Sequence, residues 1–358
     1  MTHSPGQALA ARFYRSEVAP LLGGAPHAAA LLGDGSEVLG YDDPISTDHD
    51  FGPRVQVFLS PAADPAPVHA ALSALPERFE GHLVTFPDTD RYSGRPHHHV
   101  EVTTVEAYFS GILGTDPLDR MGLADWLLAP TQRLATLTAG VVMHDPDHAL
   151  ARRRAALSWY PDDVWRYVLA AGWLRVGQEE PFVGRTGGYG DEFGSAIVAA
   201  RLVRDLVRLT FLVERRWAPY SKWLGRAFAD LRLAGEVGPH LRSALAADHW
   251  RDREAAVCAA AYVLGQATNR LGLAEPVDPS SRQFHDRDIR VVGAERFTEA
   301  LVAPITDPGL RGLLARLGQR TGGTVGALPG AIDQAVDSVD VLSHPARCRA
   351  AAPMLGLA

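Results

Sequence analysis

The spacing of apolar residues divides the chain into a first part that mixes strands with helices and a second part that is helical. Apolar positions at helical spacing predict a first helix that ends at Gly23–Gly24. Short apolar runs at 28–32, 55–59 and 100–105 predict three strands with helical patterns between them. We therefore expect one sheet flanked by helices.

From Leu118 onward the strand patterns stop and helical patterns follow one another. The predicted fold class is α+β, with an N-terminal mixed sheet and flanking helices over residues 1–145 and an all-α C-terminal domain over 146–358. The longer predicted helices cover 66–80, 104–113, 119–129, 131–143, 147–157, 161–178, 192–217, 220–234, 239–246 and 251–271.

Composition narrows the class of protein. The 358 residues are 46% hydrophobic and 22% charged, which is typical of a folded globular chain. Arginines interrupt the apolar stretches well short of the roughly 20 residues that a membrane span needs. The N-terminus shows no secretory pattern, and Cys258 and Cys348 lack metal-binding spacing. We therefore expect a cytoplasmic protein without a membrane segment.

The charge is distributed unevenly along the chain. Residues 1–150 hold 8 Arg against 19 Asp and Glu, whereas 151–358 hold 27 Lys and Arg against 23 Asp and Glu. The acidic first part argues against a protein that coats duplex nucleic acid and fits a divalent cation better. Lys222 is the single lysine among the 35 basic residues. Because a compact ammonium suits a point contact to phosphate, Lys222 is a candidate triphosphate ligand, with chance retention of one codon as the alternative.

The candidate chemistry begins in the segment between the first two predicted strands. Gly35 and Ser36 form a turn that can present N–H groups to an anion. Asp48 and Asp50 stand two residues apart before the second strand and project to one face of an extended chain. Glu101 occupies the polar face of the third predicted strand. Three carboxylates of this kind are suited to Mg²⁺, although an Asp-rich segment is also typical of a surface loop.

This arrangement resembles the nucleotidyltransferase superfamily of the DNA polymerase β type. It has the Gly-Ser turn, the Asp-x-Asp pair and a third acidic residue on a later strand. It departs from the pattern at His49, where the superfamily has an apolar residue. Further segments resemble a bacterial branch whose helical C-terminal half is a domain of unknown function: GYDDPISTDHDFGP, DWLLAPTQRL, WYPDDVWRYVLAAGW, QEEPFVGR, GDEFGS, RLVRDLVRLTFLVERRWAPYSKWLGRAF and DQAVDSVDVL.

The resemblance implies a nucleotidyltransferase-type sheet and transfer of a nucleoside monophosphate from a nucleoside triphosphate, with ATP favoured, to an acceptor hydroxyl with release of pyrophosphate. Asp48, Asp50 and Glu101 would be the catalytic residues and the ligands of two Mg²⁺ ions, with Mn²⁺ as an alternative. Gly35 and Ser36 would bind the nucleotide phosphates. The acidic first part favours a small hydroxylated acceptor over nucleic acid.

Other functions stay open at this point. One is a protein nucleotidylating (AMPylating) enzyme, and another is a non-catalytic nucleotide-binding regulator on the same fold. A third is a metal hydrolase built on His49, His97 and His99. The nucleotide base, the acceptor and the oligomeric state do not follow from the sequence.

The helical part adds candidates of its own. Four arginines fall within a sector of about 60° on one predicted helix. They either form a salt-bridged face with Asp205 or line a cleft in which Arg208 contacts the nucleotide. The segment Gly184–Ser195 predicts either a mobile loop over the cleft or a plain connection between two helices. Gln178–Glu180 would close the preceding helix and supply a base for the acceptor. The four arginines are Arg201, Arg204, Arg208 and Arg215.

Overall fold

The chain forms two compact units in a computed structural model. The first unit is Met1–Met121 with Gln132–Ser158, and the second is Gly122–Thr131 with Trp159–Ala358. Compactness alone does not show which residues make one functional domain, so the predicted boundary between 145 and 146 stays a prediction. The structure describes residues 4–43, 52–86, 97–119, 121–318 and 326–357.

A four-stranded mixed sheet organises the first unit, in the strand order β7-β2-β1-β8. β1 is antiparallel to β2 and β8, whereas β2 is parallel to β7. All five residues of β2 are buried, as expected for an internal strand with both faces covered. The strands of the unit are β1 His27–Leu31, β2 Val55–Leu59, β3 Arg78–Phe79, β4 His82–Leu83, β5 Thr85–Phe86, β6 His97–His98, β7 Val100–Thr103 and β8 Val141–His144.

Helices cover this sheet and complete its core. Phe13, Val18 and Leu72 from the helices pack with Val57 and Val100 from the strands. The helices are α1 Pro5–Phe13, which continues into a π-helical turn Tyr14–Val18, α2 Ala19–Leu21, α3 Ser36–Leu39, α4 Ala66–Leu72, α5 Val105–Leu113, α7 Thr131–Thr138 and α8 Ala149–Ala156, with α6 Leu123–Leu128 assigned to the second unit. The predicted mixed sheet with flanking helices is confirmed.

β8 corrects the expectation that strands end at Leu118 and that one helix covers 131–143. α7 stops at Thr138, and the chain turns at Gly140, whose φ is 76°. A Cβ at this position would lie 2.0 Å from the Leu31 carbonyl oxygen, so only glycine permits the approach. The turn directs β8 along the edge of the sheet beside β1.

The second unit is predominantly helical, as predicted. α9 packs against α10, α13 and α14 around buried Trp165, Trp173 and Phe297. Trp173 and Phe297 stack with ring centroids 4.3 Å apart. The elements are α9 Asp162–Gly187, α10 Glu192–Val213, α11 Ser221–Ala229, α12 Ala234–Ala246, α13 Trp250–Arg270, α14 Glu295–Val302, α15 Pro308–Leu317, α16 Ile332–Ala335, α17 Val339–Leu342, α18 Pro345–Ala350, a 3₁₀ turn Ala352–Leu355 and a small hairpin of β9 Arg282–Gln283 and β10 Arg290–Val291.

The glycine-rich stretch at 184–195 contains a short connection between two helices, which is the alternative to the mobile loop that the sequence predicts. α9 runs through Pro181 to Gly187, and α10 begins at Glu192 with Asp191 as its N-cap. A Cβ on Gly187 would lie 2.1 Å from the Trp250 ring, so this glycine lets α9 and α13 pack closely. The connection between the two helices is therefore only a few residues long.

Within the described residues, no helix is long and apolar enough to cross a membrane.

Candidate functional site

The turn that contains Gly35 and Ser36 follows β1 directly. Gly33 has a φ of 84°, and a Cβ there would lie 2.5 Å from the Tyr108 hydroxyl. Gly35 has a φ of 140° and caps α3, which Ser36 begins. Both glycines therefore adopt backbone conformations that other residues disfavour. Ser36 is half-buried, and its role in binding phosphate stays a prediction.

Two arginines fix the turn from neighbouring elements. Arg54, just before β2, donates to the Asp34 carbonyl oxygen at 2.6 Å and forms an ion pair with Glu37. Arg133 on α7 donates to both oxygens of the Asp34 carboxylate, at 2.8 and 3.0 Å. A bidentate guanidinium–carboxylate pair restricts orientation more than a single contact does. The turn is thus held in one conformation from two sides.

Glu101 lies at the same edge of the sheet. β1 and β2 align Ala30 with Gln56, and β2 and β7 align Gln56 with Glu101, so the three residues form one row across the sheet. The chain leaves β1 for the glycine turn shortly after Ala30. Glu101 is solvent-accessible, while its strand neighbour Val100 is buried, as the alternation of the strand predicts.

Gln56 lies beside the Glu101 carboxylate. Its buried amide accepts from the Leu32 N–H at 2.9 Å and donates to the Leu32 carbonyl oxygen at 3.4 Å, and it also stabilises the charged form of Glu101. Desolvation by the surrounding protein raises the pKa of Glu101, and the bond from Gln56 and the charge of Arg54 oppose this rise. A desolvated carboxylate gains from a nearby cation. The environment of Glu101 therefore favours a positive partner.

The predicted metal ligands are only partly within the described structure. Asp48 and Asp50 lie outside the described residues, as does His49. Across the described residues, no group of three or more His, Cys, Asp or Glu side chains is arranged to hold a metal ion. Glu101 fits such a site in its chemistry, because a carboxylate has about four lone-pair positions and Gln56 uses one. The carboxylate trio therefore stays a prediction.

The predicted arginine stripe of the second unit is only partly formed. Arg201, Arg204 and Arg208 lie on α10 and line one cavity. Arg215 lies beyond the end of α10 with a φ of 53°, and its guanidinium carbon is 4.2 Å from the centroid of the Trp165 ring. Arg215 is therefore not part of the stripe, because the helix ends at Val213.

Asp205 does not pair with Arg201 or Arg208 as the sequence suggests. Its carboxylate accepts from Arg175 of α9, with the nearer nitrogen at 3.2 Å. Arg201 instead lies 3.4 Å from Glu179, which also belongs to α9. Ion pairs between two packed helices thus replace the expected pairs within one helix.

Gln178–Glu180 do not close a helix, because α9 continues beyond them. Glu180 is buried and accepts from the backbone N–H groups of Val292 at 2.7 Å and Ala294 at 2.9 Å. Burial raises its pKa to about 7, although these N–H groups oppose the shift. Glu180 therefore fastens α9 to the start of α14 and is not a free base for an acceptor.

Lys222 lies in the first turn of α11 and is exposed. Its Nζ is 5.0 Å from the centroid of the Trp223 ring, within the range of a cation–π contact. Its role as a triphosphate ligand stays a prediction.

Sequence reasoning missed Gln56, Arg54 and Arg133. Gln56 had a usable signal, since it is the one polar residue in the buried strand VQVFL, and a buried amide needs partners. Arg133 had none, because its contact with Asp34 joins residues 99 positions apart.

Residues 126–224 match the family model described as a domain of unknown function, DUF4037. This match lies in the helical part, where the sequence resemblance placed such a domain. A search of curated proteins finds no match. Among solved structures, the chain is similar to a nucleotidyltransferase-like protein from Exiguobacterium sibiricum 255-15, with 13% identity and a TM-score of 0.34 over 87% of this chain and 95% of that chain.

Proposed function

We propose that the protein is a nucleotidyltransferase that moves a nucleoside monophosphate from a nucleoside triphosphate, ATP first among the candidates, to a hydroxyl group of a small acceptor. The observation that carries this proposal is the row Ala30–Gln56–Glu101 across the sheet. This row brings the partly desolvated carboxylate of Glu101 to the edge of the sheet at which the glycine turn begins. A charged ligand and a phosphate-binding turn at one edge are what phosphoryl transfer requires.

The turn would bind the leaving phosphates. Backbone N–H groups at Gly35 and Ser36, together with the Ser36 hydroxyl, would donate to the β- and γ-phosphate oxygens. Arg54 and Arg133 hold the turn, so its donors are oriented before the nucleotide binds.

Asp48, Asp50 and Glu101 would hold Mg²⁺, which neutralises charge on the transferred phosphoryl group. β2 begins at the edge where Glu101 lies, and the Asp-x-Asp pair stands a few positions before β2 in the chain. Gln56 lies beside Glu101 and stabilises its charged form, which is the form that binds a cation. The acceptor proton would pass to the Glu101 carboxylate.

The test is incubation of the full chain with Mg²⁺ and each of four α-labelled nucleoside triphosphates, with a cell extract separated into small molecules and proteins as acceptor sources. The proposal predicts release of pyrophosphate and a labelled product in the small-molecule fraction. The double variant Asp48→Asn/Asp50→Asn should lose both. Label on a protein band would favour the AMPylating enzyme, and tight triphosphate binding without pyrophosphate release would favour the regulator. Either result contradicts the proposal.

A further inference from the structure

A cavity of about 420 Å³ lies within the second unit. Its walls come from α9, α10 and the segment 331–337 that includes α16. The volume falls in the range of roughly 300–1,000 Å³ that is typical of small-molecule sites. The cavity lies in one compact unit, so its geometry does not depend on the other unit.

Five arginines line this cavity, and three of them are neutralised by neighbouring carboxylates. Arg204 forms a two-pronged ion pair with Asp337. Arg175 pairs with Asp205, and Arg201, as described above, approaches Glu179. These pairs hold α9, α10 and the segment after α16 together. Two further arginines contribute positive charge to the cavity wall.

Arg208 and Arg216 are those two arginines. Arg208 donates to the backbone carbonyl of Asp333 at 3.1 Å, while the Asp333 carboxylate accepts from Thr131 instead. Burial raises the pKa of Asp333, and the nearby charge of Arg208 opposes this rise. Among the described residues, neither Arg208 nor Arg216 donates a hydrogen bond to a carboxylate. The wall thus holds five arginines against the four carboxyl groups of Asp205, Asp333, Asp337 and Glu179, which is an excess of positive charge.

Three buried polar atoms in the wall lack hydrogen-bond partners within the described structure. They are Nε of Arg208, the hydroxyl of Tyr160 and the second carboxylate oxygen of Asp205. Buried polar atoms are nearly always satisfied, so three around one cavity call for an occupant. Water can satisfy such atoms but does not compensate the excess positive charge of the arginines. An anion with hydroxyl groups satisfies both.

We propose that this cavity binds a small hydroxylated organic anion, with a carboxylate or phosphate group at Arg208 and Arg216 and hydroxyl groups at Tyr160 and Asp205. Arginine donates in a planar fork that matches either oxyanion. The Asp205 oxygen accepts from a ligand hydroxyl, and the Tyr160 hydroxyl donates to a ligand oxygen. The proposal stands independently of nucleotidyl transfer, since it uses residues of the second unit alone.

The test is isothermal titration of the full chain, in EDTA and without nucleotide, with D-gluconate, D-glucose 6-phosphate and neutral D-glucose. Saturable binding of either anion but not of glucose is expected, and the anion that binds identifies the carboxylate or the phosphate as the charged group. The absence of binding by both anions, or equal binding of glucose, overturns the proposal. Because no triphosphate or metal ion is present, this result is independent of the transferase assay.

Variants locate the binding to the cavity. Arg208→Gln should weaken affinity by roughly tenfold or more, as expected for loss of a charge-assisted hydrogen bond. Arg226→Gln, the same change on the exposed face of α11, should leave affinity unchanged. Tyr160→Phe is the sharpest variant, because it removes an unsatisfied buried hydroxyl. It should weaken affinity several-fold while thermal stability stays equal or rises, and unchanged affinity would contradict the assigned contact.

Discussion

The buried carboxyl of Glu180 makes the stability of the second unit depend on pH. Its pKa is raised to about 7 from an ordinary value of 4.5, first because burial disfavours the charge. Between these two pH values, the folded chain keeps a proton that the unfolded chain has released. By linkage, the free energy of unfolding falls as pH rises from about 4.5 to about 7, and the loss is complete above that.

The size of this effect follows from the shift. About 2.5 pH units at about 1.4 kcal/mol each correspond to roughly 3 kcal/mol. Glu180→Gln removes the titration and keeps one oxygen to accept from Val292 or Ala294. The variant is therefore expected to be less stable than the wild type at pH 4.5, where Glu180 of the wild type is neutral. Between pH 4.5 and pH 8 its free energy of unfolding should rise by up to about 3 kcal/mol relative to that of the wild type.

Intrinsic fluorescence reports on the relevant unit, because all seven tryptophans lie in the second unit. Urea unfolding at several pH values between 4.5 and 8 would give the stability difference between wild type and Glu180→Gln. Glu275→Gln, the same change at an exposed position, should show no such trend. A stability difference between wild type and Glu180→Gln that stays constant over this pH range would refute the reasoning about Glu180.

Three further variants test other parts of the structure. Asp116→Asn should lower stability by about 2 kcal/mol in thermal unfolding followed by circular dichroism, because buried Arg153 would keep Glu106 as its carboxylate partner but lose the charge of Asp116. Gly187→Ala should cost about 1–3 kcal/mol in urea unfolding, since the new methyl group would overlap the Trp250 ring. Gln56→Met should release Glu101 and lower pyrophosphate release at least tenfold while the chain stays folded, and full activity would contradict its positioning role.

Two of the three strands that the sequence predicted, β1 and β2, are runs whose own residues are buried. The runs at 27–31 and 55–59 are almost entirely buried, so composition alone reveals them. β8 escaped prediction because the turn at Gly140 depends on a close contact with Leu31, which is far away in sequence. Tertiary packing decided this element, and no local pattern carries that information.

Helix ends in the second unit show the same limit. The predicted helix 161–178 is too short, because α9 runs on through Pro181, which removes one helical hydrogen bond, to Gly187. Packing of α9 against its neighbours outweighs that cost, and Gly187 serves the contact with Trp250 rather than a loop. A glycine-rich stretch alone does not distinguish a flexible segment from a close helix contact.

One part of the candidate site, the exposed position of Glu101, could be predicted from the alternation of side chains along a strand. The exposed side of Glu101 follows from the burial of Val100. The partner of Asp205 was not predictable, because Arg175 lies on another helix whose packing angle the sequence does not state. Asp48 and Asp50 remain predictions from sequence, since they lie outside the described residues.

The central claim concerns the chemistry at Glu101, and one comparison tests it most directly. Mg²⁺-dependent pyrophosphate release from ATP, with the small-molecule extract as acceptor, is measured for wild type, Glu101→Gln and Glu77→Gln. Glu77 is an exposed glutamate of the same unit, so it controls for the loss of one charge. We predict that Glu101→Gln lowers pyrophosphate release by about a hundredfold or more and that Glu77→Gln leaves it unchanged. Equal release by all three proteins would contradict the account.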